Sequence, residues 1–237
     1  MTPEIKLQII NHAKGEFPKE SCGLLYVQNG VEKYMPCKNK AVKQIDFILD
    51  PMDYIKVSSL GSVVGVVHSH CNLPAKPSQG DLVACEASGI PWHIISLPNE
   101  TWYSWEPNGF KAPLYGREYL HGVLDCYSLI QDWYKIKKNI SLPDFEREEG
   151  WVENNQDLYM ENFEKANFYK IDPKTIKEGD IILMQVGKSK VVNHGAIYLE
   201  GDIILHHLIN RLSSRDVYGG YWRKCTREVV RYGGNKS

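Results

Sequence analysis

Three observations predict an α+β chain of two small domains. Apolar runs of strand length, such as "SVVGVV" (62–67) and "DIILM" (180–184), stand beside segments with helical spacing. A Pro- and Gly-rich stretch, "EPNGFKAPLYGRE" (106–118), breaks the pattern near the middle. The 237 residues, 43% hydrophobic and 24% charged, are comfortable for two cores. The boundary is placed inside the break, giving domains 1–108 and 109–237.

"MTPEIKLQIINHAKGEF" reads as a helix, with Thr2 as cap, Pro3 in the first position and Ile5, Ile9 and Ile10 on one side. Glu4, Lys6 and Gln8 interrupt its isoleucines, so it is not expected to be a signal peptide. "CGLLYVQNGVEKYMPCKN" is two strands around an Asn29-Gly30 turn. "DFILDPMDYIKVSSLG" is a strand and then a short helix. "SVVGVVHSH" is nearly continuous and β-branched, hence a strand buried on both faces. "GDLVACEASG" is a helix ending at Gly89, and "WHIISLP" and "TWYSWEP" are strands. Beyond the break, "DCYSLIQDWYKIKKN" has helical spacing, and polar "REEGWVENNQDLYMENFEKANFYKI" reads as a pair of short surface helices. "EGDIILMQV", "HGAIYLEGD" and "DIILHHLIN" are three strands, so the second half is helices followed by a small sheet.

A net charge of −1 gives no electrostatic case for nucleic acid or an anionic membrane as partner. No apolar run approaches the ~18 residues of a membrane span. Synthesis as a soluble cytoplasmic protein is expected. The six cysteines contain no CxxC pair and are expected to be free thiols, mostly buried.

"HSHCNLPAKPSQGD" (68–81) follows the strand 62–67. Residues i and i+2 of a strand share a face, so His68 and His70 project together, the spacing needed to grip one ion. Asp81, at a helix start, is a candidate third ligand, leaving a fourth position for water as in catalytic zinc sites. The plainer alternative is a strand followed by a capped helix, with Ser78 capping and Asp81 in the first turn. Cys71 faces away from the histidines on a continuing strand and reads as packing.

Over its whole length this stretch resembles the JAMM (Mov34/MPN/PAD-1) metalloproteases, with "HSH", the seven residues "CNLPAKP" and then "SQGD" in their spacing. Glu20 in "PKESCGLL" matches the family's upstream glutamate. The resemblance implies Zn²⁺ on His68, His70 and Asp81, Glu20 as general base and then acid, and Ser78 donating to the oxyanion. The implied reaction is hydrolysis of an amide or isopeptide bond.

In the second half, Asp125-Cys126 opens a helical segment whose dipole favours thiolate. A nucleophilic cysteine needs a base, and His194, His206 and His207 are candidates. The plainer alternative is a buried cysteine with scattered histidines. "LDCYSLIQDWY", "NHGAIYLEGD" and "IILHH", in that order, resemble the NlpC/P60 cell-wall peptidases. The resemblance implies Cys126 as nucleophile, His194 as base and His206, twelve residues on, as the residue orienting it. A slip of one residue would select His207 instead. The family's usual D-C-S-G-L is broken here by Tyr127 and Ser128, which puts the substrate in doubt more than the chemistry.

A JAMM-like domain followed by an NlpC/P60-like domain resembles the tail assembly proteins of long-tailed bacteriophages, the lambda K type. That implies tail proteins and peptidoglycan stem peptides as partners. It also implies action at the tail tip, with the host cytoplasm as place of assembly and the periplasm as place of action. The competing expectation is a structural or assembly factor with one or both peptidase sites inactive.

Overall fold

The computed structural model describes residues 1–234, and the chain divides into two compact units, Met1–Lys111 and Ala112–Ser237. Each unit is a mixed α+β fold built around one sheet.

The first unit begins with α1 (Pro3–Glu16), whose Thr2 hydroxyl accepts the Ile5 N–H as cap. β1 (Cys22–Gln28) and β2 (Val31–Cys37) form the expected hairpin. Its turn residues Asn29 and Gly30 have φ of 52° and 78°, the left-handed pair that a tight two-residue loop requires. Then come α2 (Pro51–Leu60), β3 (Ser62–His70), α3 (Gln79–Ser88), β4 (Trp92–Ser96) and β5 (Thr101–Trp105). The sheet order is β2-β1-β3-β4-β5, with β3 and β4 parallel across the α3 crossover.

The expected strand before α2 is reduced to a single bridge between Asn39 and Leu49. The Asn39 side chain takes the hydrogen bonds a strand would have used, donating to Asp46 O and accepting from Ile48 N. A side chain that bonds nearby backbone in this way competes with a regular ladder.

Period-two alternation sorts the sheet's side chains. Leu25, Val67 and Ile95 pack on Ile5, Ile9 and Ala13 of α1. Leu24, Val66 and Trp92 pack on the other face with Val57 of α2 and Cys85 of α3. His68 and His70 are in step with Val66 and so belong to the α2–α3 face.

The second unit contains α4 (Cys126–Lys138), α5 (Leu158–Asn162), β6 (Phe168–Lys170), β7 (Ile181–Met184), β8 (His194–Leu199) and β9 (Ile203–His206). β10 (Ser214–Val217), α6 (Gly220–Cys225) and β11 (Thr226–Tyr232) complete it. All pairings in its sheet, β10-β9-β8-β7-β11-β6, are antiparallel. Leu129, Ile130 and Trp133 of α4 pack on Ile181, Leu183, Ile197 and Leu205. Ile182, Met184, Ala196 and Ile204 point the other way, toward Tyr218 and Cys225.

The polar segment 147–171 holds one short helix, α5, instead of two. Turns occupy its start, with left-handed backbone at Gly150 (φ 87°) and Asn155 (φ 57°). Among the described residues no helix is long and apolar enough to cross a membrane, and all six cysteines are free.

Candidate active sites

The structure brings the first constellation together. Ligand atoms of His68, His70 and Asp81 all lie within 4.8 Å of one another. His70 Nδ1 is 2.8 Å from Pro74 O, so it carries the proton and leaves Nε2 bare. His68 is 1% exposed, and neither of its ring nitrogens has a hydrogen-bond partner. The Phe47 ring stacks on it at 4.5 Å, while Trp92 and Trp105 meet it edge-on. Burial depresses its pKa to about 4, so it is a neutral imidazole, the form that binds a metal.

His68 Nε2 stands 3.5 Å from Asp81 Oδ1. Two ligands of one tetrahedral zinc, each at about 2.1 Å, are roughly 3.4 Å apart. The orphaned imidazole, the bare Nε2 of His70 and the unused Asp81 oxygen therefore fit a zinc ion.

The capped-helix alternative is realised at the same time. Asp81 N donates to Ser78 Oγ, while Ser78 N and Oγ both donate to Asp81 Oδ2 at 2.7 Å. The capping box fixes the carboxylate so that Oδ1 is turned to the histidines. It also uses the Ser78 hydroxyl proton.

Glu20, 4% exposed, lies just ahead of β1. Burial first, then the carboxylates of Asp81 and Asp46, push its pKa up to about 9. Cys71 is a buried side chain outside the ligand trio, as expected.

In the second unit Cys126 is the first residue of α4, with Asp125 as its N-cap. Asp125 Oδ1 accepts from Tyr127 N (3.0 Å) and Ser128 N (2.9 Å), and Ser128 Oγ accepts from Asp125 N at 2.7 Å. Ser128, which departs from the D-C-S-G-L pattern, thus completes a capping box. Tyr127 is half-buried, donating to Pro143 O, packing edge-on to Tyr159 and lying under the Arg147 guanidinium.

The Cys126 sulfur is 3.1 Å from Tyr159 Oη and receives the backbone N–H of Gly195. His194, the preceding residue, opens β8. Burial, then the Asp125 carboxylate, push the thiol up to about 11 against those two hydrogen bonds.

His194 Nε2 and His206 Nδ1 are 3.0 Å apart. Burial lowers the pKa of both, that of His194 to about 3. His207 points to the opposite face, with Tyr119 edge-on at 5.1 Å. The structure therefore pairs His194 with His206, the residue twelve positions on, and not with His207.

Three contributors had no local signal in the sequence. Tyr159 reaches the sulfur from α5. Arg147 pairs with Asp125 Oδ2 at 2.8 Å, and Asp216 lies 3.2 Å from His206 Nε2.

Residues 2–108 match the family model described as prokaryotic homologs of the JAB domain, and residues 116–231 match that of the NlpC/P60 family. The tail tip assembly protein K of Escherichia phage N15 is 37% identical over 94% of this chain and 92% of its own length. Its counterpart in Escherichia phage lambda is 33% identical over 78% of this chain and 89% of its own. A JAB1/MPN domain protein from Archaeoglobus fulgidus is more distantly similar in structure. It is 24% identical, covers 46% of this chain and 87% of that one, and has a TM-score of 0.31. With its JAB-like half followed by an NlpC/P60 half, the chain belongs to the phage tail tip assembly protein K family.

Proposed function

We propose that this tail tip assembly protein is a bifunctional peptidase. The observation that carries the reading is the placement of Cys126 at the start of α4, its sulfur against the strand that opens with His194, which in turn is held by His206. In the C-terminal unit Cys126 is the nucleophile. Its S–H proton passes to His194, the thiolate attacks a peptide carbonyl, and His194 returns the proton to the leaving amine. Peptidoglycan stem peptides are the proposed substrate, reached at the tail tip during genome entry through the periplasm. Assembly takes place in the host cytoplasm with other tail proteins as partners.

In the N-terminal unit His68, His70 and Asp81 would hold Zn²⁺. A zinc ion held there activates water toward a carbonyl. Glu20 takes the proton and hands it to the departing amine, roles that require its carboxyl to be ionised first, a form that a cation bound beside it would favour against the burial that raises its pKa. Ser78 steadies the oxyanion only if its hydroxyl turns away from Asp81 Oδ2, which it donates to here. The reaction class is amide or isopeptide hydrolysis.

One observation favours a second reading, an assembly factor with a silent cysteine site. The Cys126 thiol, half-buried beside Tyr159, is held protonated, as it would be in an inactive centre. Purified full-length protein separates the readings. One zinc per chain, lost in His68→Ala, together with cell-wall digestion that Cys126→Ala abolishes, is the outcome for a bifunctional peptidase. No stoichiometric zinc, or digestion undiminished in Cys126→Ala, rejects the corresponding half.

A further inference from the structure

The sheet register of the second unit carries the cysteine site one strand further than its three expected residues. Ala196 pairs with His206, so His194 is the diagonal neighbour of His206 on the same face. His206 pairs in turn with Ser214, so Asp216 is its diagonal neighbour on the far side. One line of side chains thus crosses β8, β9 and β10 on a single face.

The contacts along that line are close. His194 Nε2 is 3.0 Å from His206 Nδ1, and His206 Nε2 is 3.2 Å from Asp216 Oδ2. The second is an ion-pair contact short of good hydrogen-bond alignment, so His206 Nε2 makes no well-formed hydrogen bond. Asp216 is itself held from behind, where Arg211 grips both its oxygens at 2.9 and 2.7 Å. Trp222 covers the His206 ring edge-on at 4.6 Å, limiting access of water to the line.

We infer that Asp216 is a positioning residue that fixes the tautomers of both histidines, an assignment that rests on the cysteine-peptidase reading for its catalytic consequence. A carboxylate only accepts, so the nitrogen facing it, His206 Nε2, carries the proton. His206 Nδ1 is then bare and accepts from His194 Nε2–H. That leaves His194 Nδ1 as the one unprotonated nitrogen of the pair's outer member, available for the Cys126 proton. When it takes that proton, the charge on His194 is stabilised through His206 by Asp216. Without the carboxylate, His206 is free to protonate Nδ1 instead. His194 would then bond through a bare Nε2, with its proton on Nδ1, and the base would be blocked. Arg211 sets how firmly the carboxylate is aimed.

The test uses full-length protein as wild type, Asp216→Ala, Asp216→Glu and Arg211→Gln. Imidazole ¹⁵N NMR reads the tautomers without any substrate. Wild type should show His194 and His206 both protonated on Nε2 and bare on Nδ1. Asp216→Ala should lose that uniform pattern, and Asp216→Glu should restore it. On a defined muropeptide, Asp216→Ala should lower kcat by about 10- to 100-fold, the usual loss when a partner orienting a histidine is removed, with KM within about twofold. Asp216→Glu should recover part of kcat, and Arg211→Gln should fall between it and wild type. A wild type that cleaves nothing but shows the assigned tautomers, lost in Asp216→Ala, supports the positioning role and counts against the peptidase reading alone. Wild-type His194 protonated on Nδ1, or tautomers and kcat unchanged in Asp216→Ala, would overturn the inference.

Discussion

Replacing Asp125 by alanine removes four acceptor contacts at the start of α4. Its Oδ1 holds Tyr127 N and Ser128 N at 3.0 and 2.9 Å, and its Oδ2 holds Gly122 N at 3.0 Å and Arg147 Nε at 2.8 Å. The lost cap costs about 1 kcal/mol. Removing one member of a buried ion pair costs about 3–5 kcal/mol, and the two side chains here are 3% and 8% exposed. Arg147 retains Asp144 Oδ1 and Gly122 O, which puts the second cost at its lower end. The sum is about 4 kcal/mol, a large share of the roughly 5–15 kcal/mol that holds a domain together. Asp125→Asn keeps an oxygen for the cap but sets an NH₂ against Arg147, and should lose about 2–3 kcal/mol. Urea denaturation followed by tryptophan fluorescence measures both. A coupling of at least about 1 kcal/mol with Arg147→Ala isolates the pair. An Asp125→Ala protein within 1 kcal/mol of wild type would refute this account of why an aspartate precedes Cys126.

Zinc at a hundredfold excess over its dissociation constant should stabilise the N-terminal unit by about 2.7 kcal/mol. That raises its melting transition by roughly 10 °C; scanning calorimetry with zinc and with chelator checks this, and the shift should vanish in His68→Ala. The C-terminal unit should lose stability in acid. His194 is depressed from 6.5 to about 3 and His207 from 6.5 to about 4, so the unfolded chain gains protons that the fold refuses. Stability is therefore full above pH 6.5 and falls as the pH drops toward those values. Each histidine contributes up to about 1.4 kcal/mol per pH unit. Urea midpoints at several pH values should show a shallower decline in His207→Gln, and a flat profile in wild type contradicts the assignment. Gly195→Ala would set its methyl 2.8 Å from Ile130 Cδ1 and 2.9 Å from Tyr159 Oη. A loss of about 1–3 kcal/mol with altered Cys126 alkylation is expected, and unchanged values for both would count against the close approach of β8 to the cysteine.

The parts of both sites visible in the sequence are those whose geometry is local. His68 and His70 share a face because a strand has period two, and Ser78 and Asp81 form a box because a helix start has a fixed offset. Alternation along "IILHH" likewise separates His206 from His207. Tyr159, Arg147 and Asp216 were not legible, since each arrives through packing or register between segments far apart in the chain. The edge strands β6 and β10 are not legible in the sequence because "FYK" is too short and "SRDV" too polar to show a pattern, their pairing being imposed by neighbours. "TREVVRY", paired on both sides, became β11 although its charges obscure a buried strand. The strand expected at 46–50 failed for the opposite reason, because Asn39 supplied local partners for its backbone.

Incubation with defined muropeptides followed by mass spectrometry tests the proposed cysteine chemistry most directly. Wild type and Glu20→Ala should release the same stem-peptide fragment, while Cys126→Ala should release none. Absence of cleavage by wild type, or equal cleavage by Cys126→Ala, would contradict the account.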